Sequence, residues 1–207
     1  MSETGITSLA VMVSGTGRGS NLVSLIEACT KGQIPAQVAL VIGTRADAPA
    51  LERAREAGIA TSVVSPRKYE GDDPGYAKVL SRLLHRHGIE LVCLAGYMRQ
   101  LPPQLVTEFS GKILNIHPSL LPHFGGKGMF GERVHEAVLA SGAILSGCTV
   151  HFVDEGYDTG AVVLQRTVSV FPDDTPQSLG ARVLKEEHLA YAEAVKMFCL
   201  GEIGHAA

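Results

Sequence analysis

Ser8-Leu9-Ala10-Val11-Met12-Val13-Ser14 runs straight into Gly15-Thr16-Gly17-Arg18-Gly19 and then into Ser20-Asn21-Leu22-Val23-Ser24-Leu25-Ile26-Glu27-Ala28-Cys29. The first run is apolar throughout, as expected of a strand buried on both faces. Three glycines in five residues break it, and Ser20–Cys29 reads as a helix. Strand, tight turn and helix in that order open an α/β fold.

The same alternation continues downstream. Val38–Ile42, Thr61–Val64, Leu91–Ala95 and Ile113–Ile116 read as strands, and Pro49–Ala57 as a helix. Gly75–Arg86 has helical spacing through Tyr76, Val79, Leu80, Leu83 and Leu84, after a polar loop at Arg67–Pro74. Thr149–Val153 and Ala161–Val170 are separated by a turn containing Asp158 and Gly160, which suits a hairpin. A long helix begins near Thr175, with Asp174 and Thr175 as caps and Pro176 in its first turn. The expected fold is α/β: a Rossmann-like, mostly parallel sheet flanked by helices, with an antiparallel edge in the C-terminal half.

Composition narrows the partners. The chain has 207 residues, enough for one domain with an ample core, and a formal charge of −3 with its cations scattered. Nucleic-acid binders usually carry clustered basic charge, so none is expected as a partner. No segment is long and apolar enough for a bilayer, and Glu3 without early cations argues against a leader. Cys29, Cys93, Cys148 and Cys199 form no CxxC pair, so free thiols and a cytoplasmic location are expected.

Two segments carry chemistry. The N–H groups of the Gly15–Gly19 turn and the following helix start would cradle a phosphate, whereas a plain turn would use Ser20 as helix N-cap. The loop is not a Walker A motif, since no Lys-Ser/Thr pair follows, and Ser20 stands where the third glycine of a dinucleotide motif belongs. Arg45 after the second strand leaves an NADP site conceivable; a phosphate on a small metabolite fits better. In Lys112-Ile113-Leu114-Asn115-Ile116-His117-Pro118, Asn115 and His117 sit two apart at the end of an apolar run. On a strand they share a face, and Pro118 ends the strand just behind them. A carboxylate from Asp154-Glu155-Gly156-Tyr157-Asp158 paired with His117 would raise its pKa and favour imidazolium near neutral pH. Amide and imidazolium converging on one point form an oxyanion site suited to acyl transfer. His117, His123, His135 and His151 lack metal-ligand spacing, so no metal is expected, and neither GxSxG nor a paired cysteine occurs, so no covalent nucleophile is expected.

These segments resemble the glycinamide ribonucleotide formyltransferases, folate-dependent enzymes of purine synthesis. Asn115-Ile116-His117-Pro118-Ser119-Leu120-Leu121-Pro122 is similar to their catalytic strand, and Gly147–Val153 with Tyr157-Asp158-Thr159-Gly160 to a second block. The resemblance implies 10-formyltetrahydrofolate as co-substrate and Asn115, His117 and Asp158 as catalytic residues. It places the ribonucleotide phosphate on Gly17, Arg18, Gly19, Ser20 and Asn21, and the ribose on Glu187, which periodicity alone makes an ordinary exposed helix residue. Folate would lie against Tyr97, Met98, Arg99, Gln100, Leu101 and Asn115. Two departures stand out: Arg18-Gly19 lengthens the phosphate loop, and Asp73 replaces a basic residue near the folate, leaving Arg67 or Lys68 for its tail. Residues 1–207 are read as a single formyltransferase domain, phosphate-binding over about residues 1–100 and folate-binding and catalytic over about 101–207. The expected partners are small molecules, with the chain a monomer or homodimer. A 10-formyltetrahydrofolate deformylase and a non-catalytic phosphometabolite-binding protein are the alternatives.

Overall fold

The computed structural model describes residues 5–15 and 17–204; Glu3, and Thr16 of the glycine turn, lie outside the described residues. The described chain runs β1 (Thr7–Val13), α1 (Ser20–Thr30), β2 (Ala36–Gly43), α2 (Pro49–Glu56), β3 (Ala60–Val63), a 3₁₀ turn (Pro66–Tyr69), α3 (Asp73–Arg86) and β4 (Leu91–Leu94). It continues through α4 (Pro103–Glu108), β5 (Ile113–His117), α5 (Glu132–Ala140), β6 (Leu145–Phe152), β7 (Val162–Ser169) and α6 (Pro176–Cys199). Among the described residues the strands form a seven-stranded sheet, ordered β3-β2-β1-β4-β5-β6-β7. Strands β1 to β5 pair in parallel, while β5–β6 and β6–β7 are antiparallel. This is the α/β fold with a C-terminal antiparallel edge that the sequence predicts.

Alternation along β1 explains the two core layers. Leu9, Val11 and Val13 pack with Leu22 and Leu25 of α1 and Leu179 and Val183 of α6. Ala10 and Met12 point the other way, to Leu80 and Leu84 of α3 and Leu105 of α4. A fully buried leucine contributes about 1.5–3 kcal/mol, so these layers carry the stability and free the loops for function. Tyr191 of α6, wholly buried, places its hydroxyl 3.0 Å from the carbonyl oxygens of both Leu94 and Leu114, fixing α6 to β4 and β5 beside the site.

The topology also places the crevice. The chain leaves β1 toward β2 and β3, then returns to the other side of β1 as β4. Ligands of open α/β sheets bind at the carboxyl ends of the strands at such a reversal. Ser14, just past β1, accepts the Met98 N–H at 2.7 Å from just past β4, so two of the segments singled out by sequence are joined there.

Several boundaries differ from the sequence reading. The supposed loop Arg67–Pro74 contains the 3₁₀ turn and the start of α3, whose N-cap Asp72 accepts from Gly75 N–H at 2.9 Å. Pro102-Pro103 reads as a break, yet Pro103 starts α4, a position where the missing N–H costs nothing. Helix α5, hidden behind a glycine-rich loop, is also new, and β6 begins four residues before the expected Thr149. At the glycine-rich turn Ser20 is the first helical residue, not the cap. The cap is Gly19 at φ 73, where a side chain would be strained and its Cβ would meet Ala50 Cβ at 2.8 Å.

Candidate active site

Strand alternation presents the central pair. Leu114 and Ile116 enter the α6-side core, leaving Asn115 and His117 on the opposite face at the carboxyl end of β5. The antiparallel β6 sets His151 opposite Asn115 and Thr149 opposite His117. His151 Nδ1 lies 2.8 Å from the Phe152 carbonyl oxygen, and a carbonyl only accepts, so Nδ1 carries the proton. Nε2 then accepts from Asn115 Nδ2 at 3.0 Å. This fixes the Asn115 amide with its donor toward β6 and leaves its second N–H for a ligand.

His117 is 3% exposed. Its Nε2 faces the Phe124 carbonyl oxygen at 2.9 Å and so bears hydrogen, while Nδ1 lies 3.5 Å from Asp158 Oδ2. Nδ1 is therefore where a proton can arrive and leave, with the carboxylate beside it. Asp158 is held at φ 56 and accepts from Gly126 N–H at 3.0 Å; its Oδ1 is 3.7 Å from His151 Nε2. Burial pulls the Asp158 carboxyl upward, but His151 and His117 in their protonated forms, with the Gly126 N–H, outweigh it and hold the group below its ordinary value. For His117 burial wins: it pushes the imidazole below its ordinary value against the opposing pull of Asp158 and the Phe124 carbonyl. The expected neutral-pH imidazolium is thus reversed in the free protein, because desolvation of a nearly enclosed ring exceeds one carboxylate 3.5 Å away.

A buried network holds the loop that supplies Phe124. Thr149 Oγ1 donates to the Ser119 carbonyl at 2.6 Å and accepts from Leu121 N–H at 3.0 Å and Gln165 Nε2 at 2.9 Å. Ser119 Oγ donates to the His123 carbonyl at 2.7 Å.

Asn115, His117, His151 and Asp158 line a cavity of about 830 Å³. Of the phosphate-loop candidates, Arg18 and Asn21 line it, whereas Gly17, Gly19 and Ser20 do not. All five folate-side residues, Tyr97 to Leu101, line it as well. Glu187 also lines it and is 8% exposed, correcting the exposed reading from periodicity: its Oε2 accepts from Asn21 Nδ2 at 2.7 Å. Helix α6 packs across α1 here, so a position that looks solvent-facing on one helix is enclosed by the other. Arg67 and Lys68 sit on the 3₁₀ turn and line neither this cavity nor a smaller neighbour of about 580 Å³. His135 and His151 also line the cavity, and sequence reasoning weighed both only as metal ligands. The alternation Thr149, His151 on a strand beside Asn115 was the available signal. Among the described residues no group of three or more His, Cys, Asp or Glu could hold a metal ion.

Two outcomes follow from the buried charges. Burial raises the Glu187 carboxyl, with the Asn21 hydrogen bond opposing it. A raised folded value means stability that is present when the group is protonated and lost as pH rises through that value. Glu187→Gln, a neutral isostere, is expected to raise Tm at pH 7–8; an unchanged or lower Tm contradicts this. His117, His135 and His188 are each pushed below the ordinary 6.5, chiefly by burial. Their folded forms bind protons less readily than the unfolded chain, so stability present above pH 6.5 is lost as pH falls below it. Thermal melts from pH 7 to 5 are expected to show this fall, and His135→Gln to make it shallower.

The chain is similar to the chloroplastic phosphoribosylglycinamide formyltransferase of Arabidopsis thaliana, 46% identical over 191 residues, 92% of this chain and 65% of that protein's length. It is 39% identical over 199 residues to the phosphoribosylglycinamide formyltransferase of Haemophilus influenzae, spanning 94% of this chain and 88% of the relative. The crystal structure of glycinamide ribonucleotide transformylase 1 from Symbiobacterium toebii superposes with a TM-score of 0.88 at 42% identity, covering 96% of this chain and 90% of that one. Residues 8–195, from β1 through most of α6, match the formyl transferase family as a whole, and the chain belongs to that family.

Proposed function

We propose that this chain transfers the formyl group of 10-formyltetrahydrofolate to the amine of glycinamide ribonucleotide, giving formylglycinamide ribonucleotide and tetrahydrofolate in purine biosynthesis. The observation that carries the reading is convergence: Arg18, Asn21 and Glu187, the Tyr97–Leu101 segment, and the Asn115–His117–Asp158 group all face one cavity. In this reading residues 1–207 act as a single domain. The first half, about residues 1–100, supplies the phosphate loop and runs into the folate-facing segment Tyr97–Leu101, and the second, about 101–207, supplies the catalytic residues and Asn115 for the folate, with Glu187 reaching back to Asn21. The four cysteines are free thiols, which suits the cytoplasm.

Arg18 and the N–H groups at the start of α1 hold the phosphate, and Glu187 accepts the ribose hydroxyls. Tyr97–Leu101 and Asn115 orient the folate. Holding amine and formyl carbon in contact supplies much of the acceleration. As the amine attacks, the spare Asn115 N–H and His117 meet the developing oxyanion. His117, neutral in the free protein, takes up a proton at Nδ1 as negative charge grows, and Asp158 beside it stabilises the imidazolium. The new carbon–nitrogen bond forms at the amine, the bond to folate N10 breaks, and the amine proton passes to N10 by way of the His117–Asp158 pair. No metal takes part.

The test is tetrahydrofolate formation from 10-formyltetrahydrofolate with and without glycinamide ribonucleotide. Product that requires the ribonucleotide is expected. Equal release without it means hydrolysis, and absence of release means a binding protein; either overturns the reading.

A further inference from the structure

The smaller cavity adjoins the larger one across a shared wall. They share Met98, Arg99, Gln100, Leu101 and Tyr157, so a ligand longer than the main cavity would extend toward it. Its remaining wall comes from the 3₁₀ turn and the start of α3, with Tyr69 and Tyr76 as flat apolar surfaces and Glu70 and Asp73 as carboxylates. Arg99 is the only cation lining it among the described residues, since Arg67 and Lys68 are not part of its wall. Its neutral donors include the tyrosine hydroxyls of Tyr69, Tyr76 and Tyr157, of which Tyr76 is bonded to Tyr97 at 2.8 Å. Asp72 is engaged as the α3 cap, and Asp73 already occupies the positive end of that helix, which would otherwise attract an anion. Farther along the path, Asp154 lines the main cavity and adds a third carboxylate.

Folates end in glutamate and are extended by γ-linked glutamates, each adding one carboxylate. We propose that the smaller cavity receives this end and that its acidic wall makes the protein a short-tail enzyme, taking monoglutamyl folate at least as well as polyglutamyl folate. The inference rests on the folate-dependent reading above. Arg99 answers the first glutamate; each further carboxylate meets Glu70 and Asp73 with no cation to offset them. Exposed like charges interact weakly and are screened by salt, so the selectivity is modest and shrinks as ionic strength rises.

The experiment compares kcat/KM for monoglutamyl and pentaglutamyl 10-formyltetrahydrofolate at saturating glycinamide ribonucleotide, in low and high salt. In the wild type at low salt, pentaglutamyl substrate is expected to be no better than monoglutamyl, and to gain as salt is raised. Glu70→Gln combined with Asp73→Asn is expected to improve the pentaglutamyl value about threefold to tenfold more than any change in the monoglutamyl value. A wild-type pentaglutamyl preference at low salt, or a ratio unmoved in the double variant, overturns the inference. Should neither folate turn over, the formyl-transfer reading fails, and calorimetric titration with mono- and pentaglutamyl tetrahydrofolate decides this one. Monoglutamate binding at least as tightly supports it; much tighter pentaglutamate, or no binding of either, overturns it.

Discussion

His117→Ala is expected to lower kcat by about 10²–10⁴-fold while KM for both substrates moves only a few-fold. The ring is the group that can move a proton beside the Asn115 amide, and its Nδ1 lies 3.5 Å from Asp158. The residues that would hold substrate are on other elements: Arg18 and Asn21 at the start of α1, Glu187 on α6, and Tyr97–Leu101 after β4. Removing the ring leaves those contacts in place, and the Thr149 network still fixes the loop behind it. The loss therefore falls on transition-state stabilisation and not on binding. Asp158→Asn is the companion variant. Asparagine tolerates the φ of 56 and can still accept from Gly126 N–H, so geometry survives and only the counter-charge is lost. A kcat loss of about 10²-fold or more is expected there as well. Steady-state kinetics with both substrates varied check this, and turnover within about fivefold of wild type in either variant removes the pair from the mechanism.

The second large effect is on stability. Gly160→Ala is expected to cost about 3–5 kcal/mol, or roughly 10 °C in Tm. A Cβ at position 160 would lie 1.8 Å from the Phe152 carbonyl oxygen and 3.3 Å from Asp154 N. Both neighbours are backbone at the end of β6, where Phe152 N–H donates to the Ala161 carbonyl at 2.9 Å, so neither can swing aside. The β6–β7 connection must open to admit the methyl group, and Asp158 stands two residues away on that connection. Melting curves and activity should fall together; a soluble variant with wild-type Tm would show that the connection has slack.

Most of the fold was legible because its signals are local. Continuous apolar runs marked β1, β2, β4 and β5, and the change from helix-spaced connections to a hairpin marked the antiparallel edge. Helices α4 and α5 were not legible because they are short and preceded by Pro102-Pro103 and by glycines, which read as breaks. In the site, Asn115 and His117 could be found because a period of two aligns them on one strand. His151 could not, since its place opposite Asn115 arises only when β6 pairs with β5, and Glu187 came from the family resemblance alone, its enclosure arising only when α6 packs on α1. The protonation of His117 was misread for a related reason. Sequence offers the carboxylate but not the degree of enclosure, and the enclosure decides the sign.

Helix α6 does more than donate Glu187. It completes the core layer over β1, seats Tyr191 at the ends of β4 and β5, and touches α1 at the other extreme of the chain. On the ribosome, the strands made first therefore emerge with one apolar face only partly covered, by α1 and α2, until residues 176–199 follow. Such long-range closure slows folding and leaves the nascent sheet exposed to wrong partners in the meantime. The glycine-rich turn before α1, among the first segments synthesised, acquires the neighbouring Asn21–Glu187 bond only after nearly all the chain has been made. On the proposed function, substrate-binding competence thus arrives with the last helix, so a chain stalled before α6 would hold a sheet but no working site.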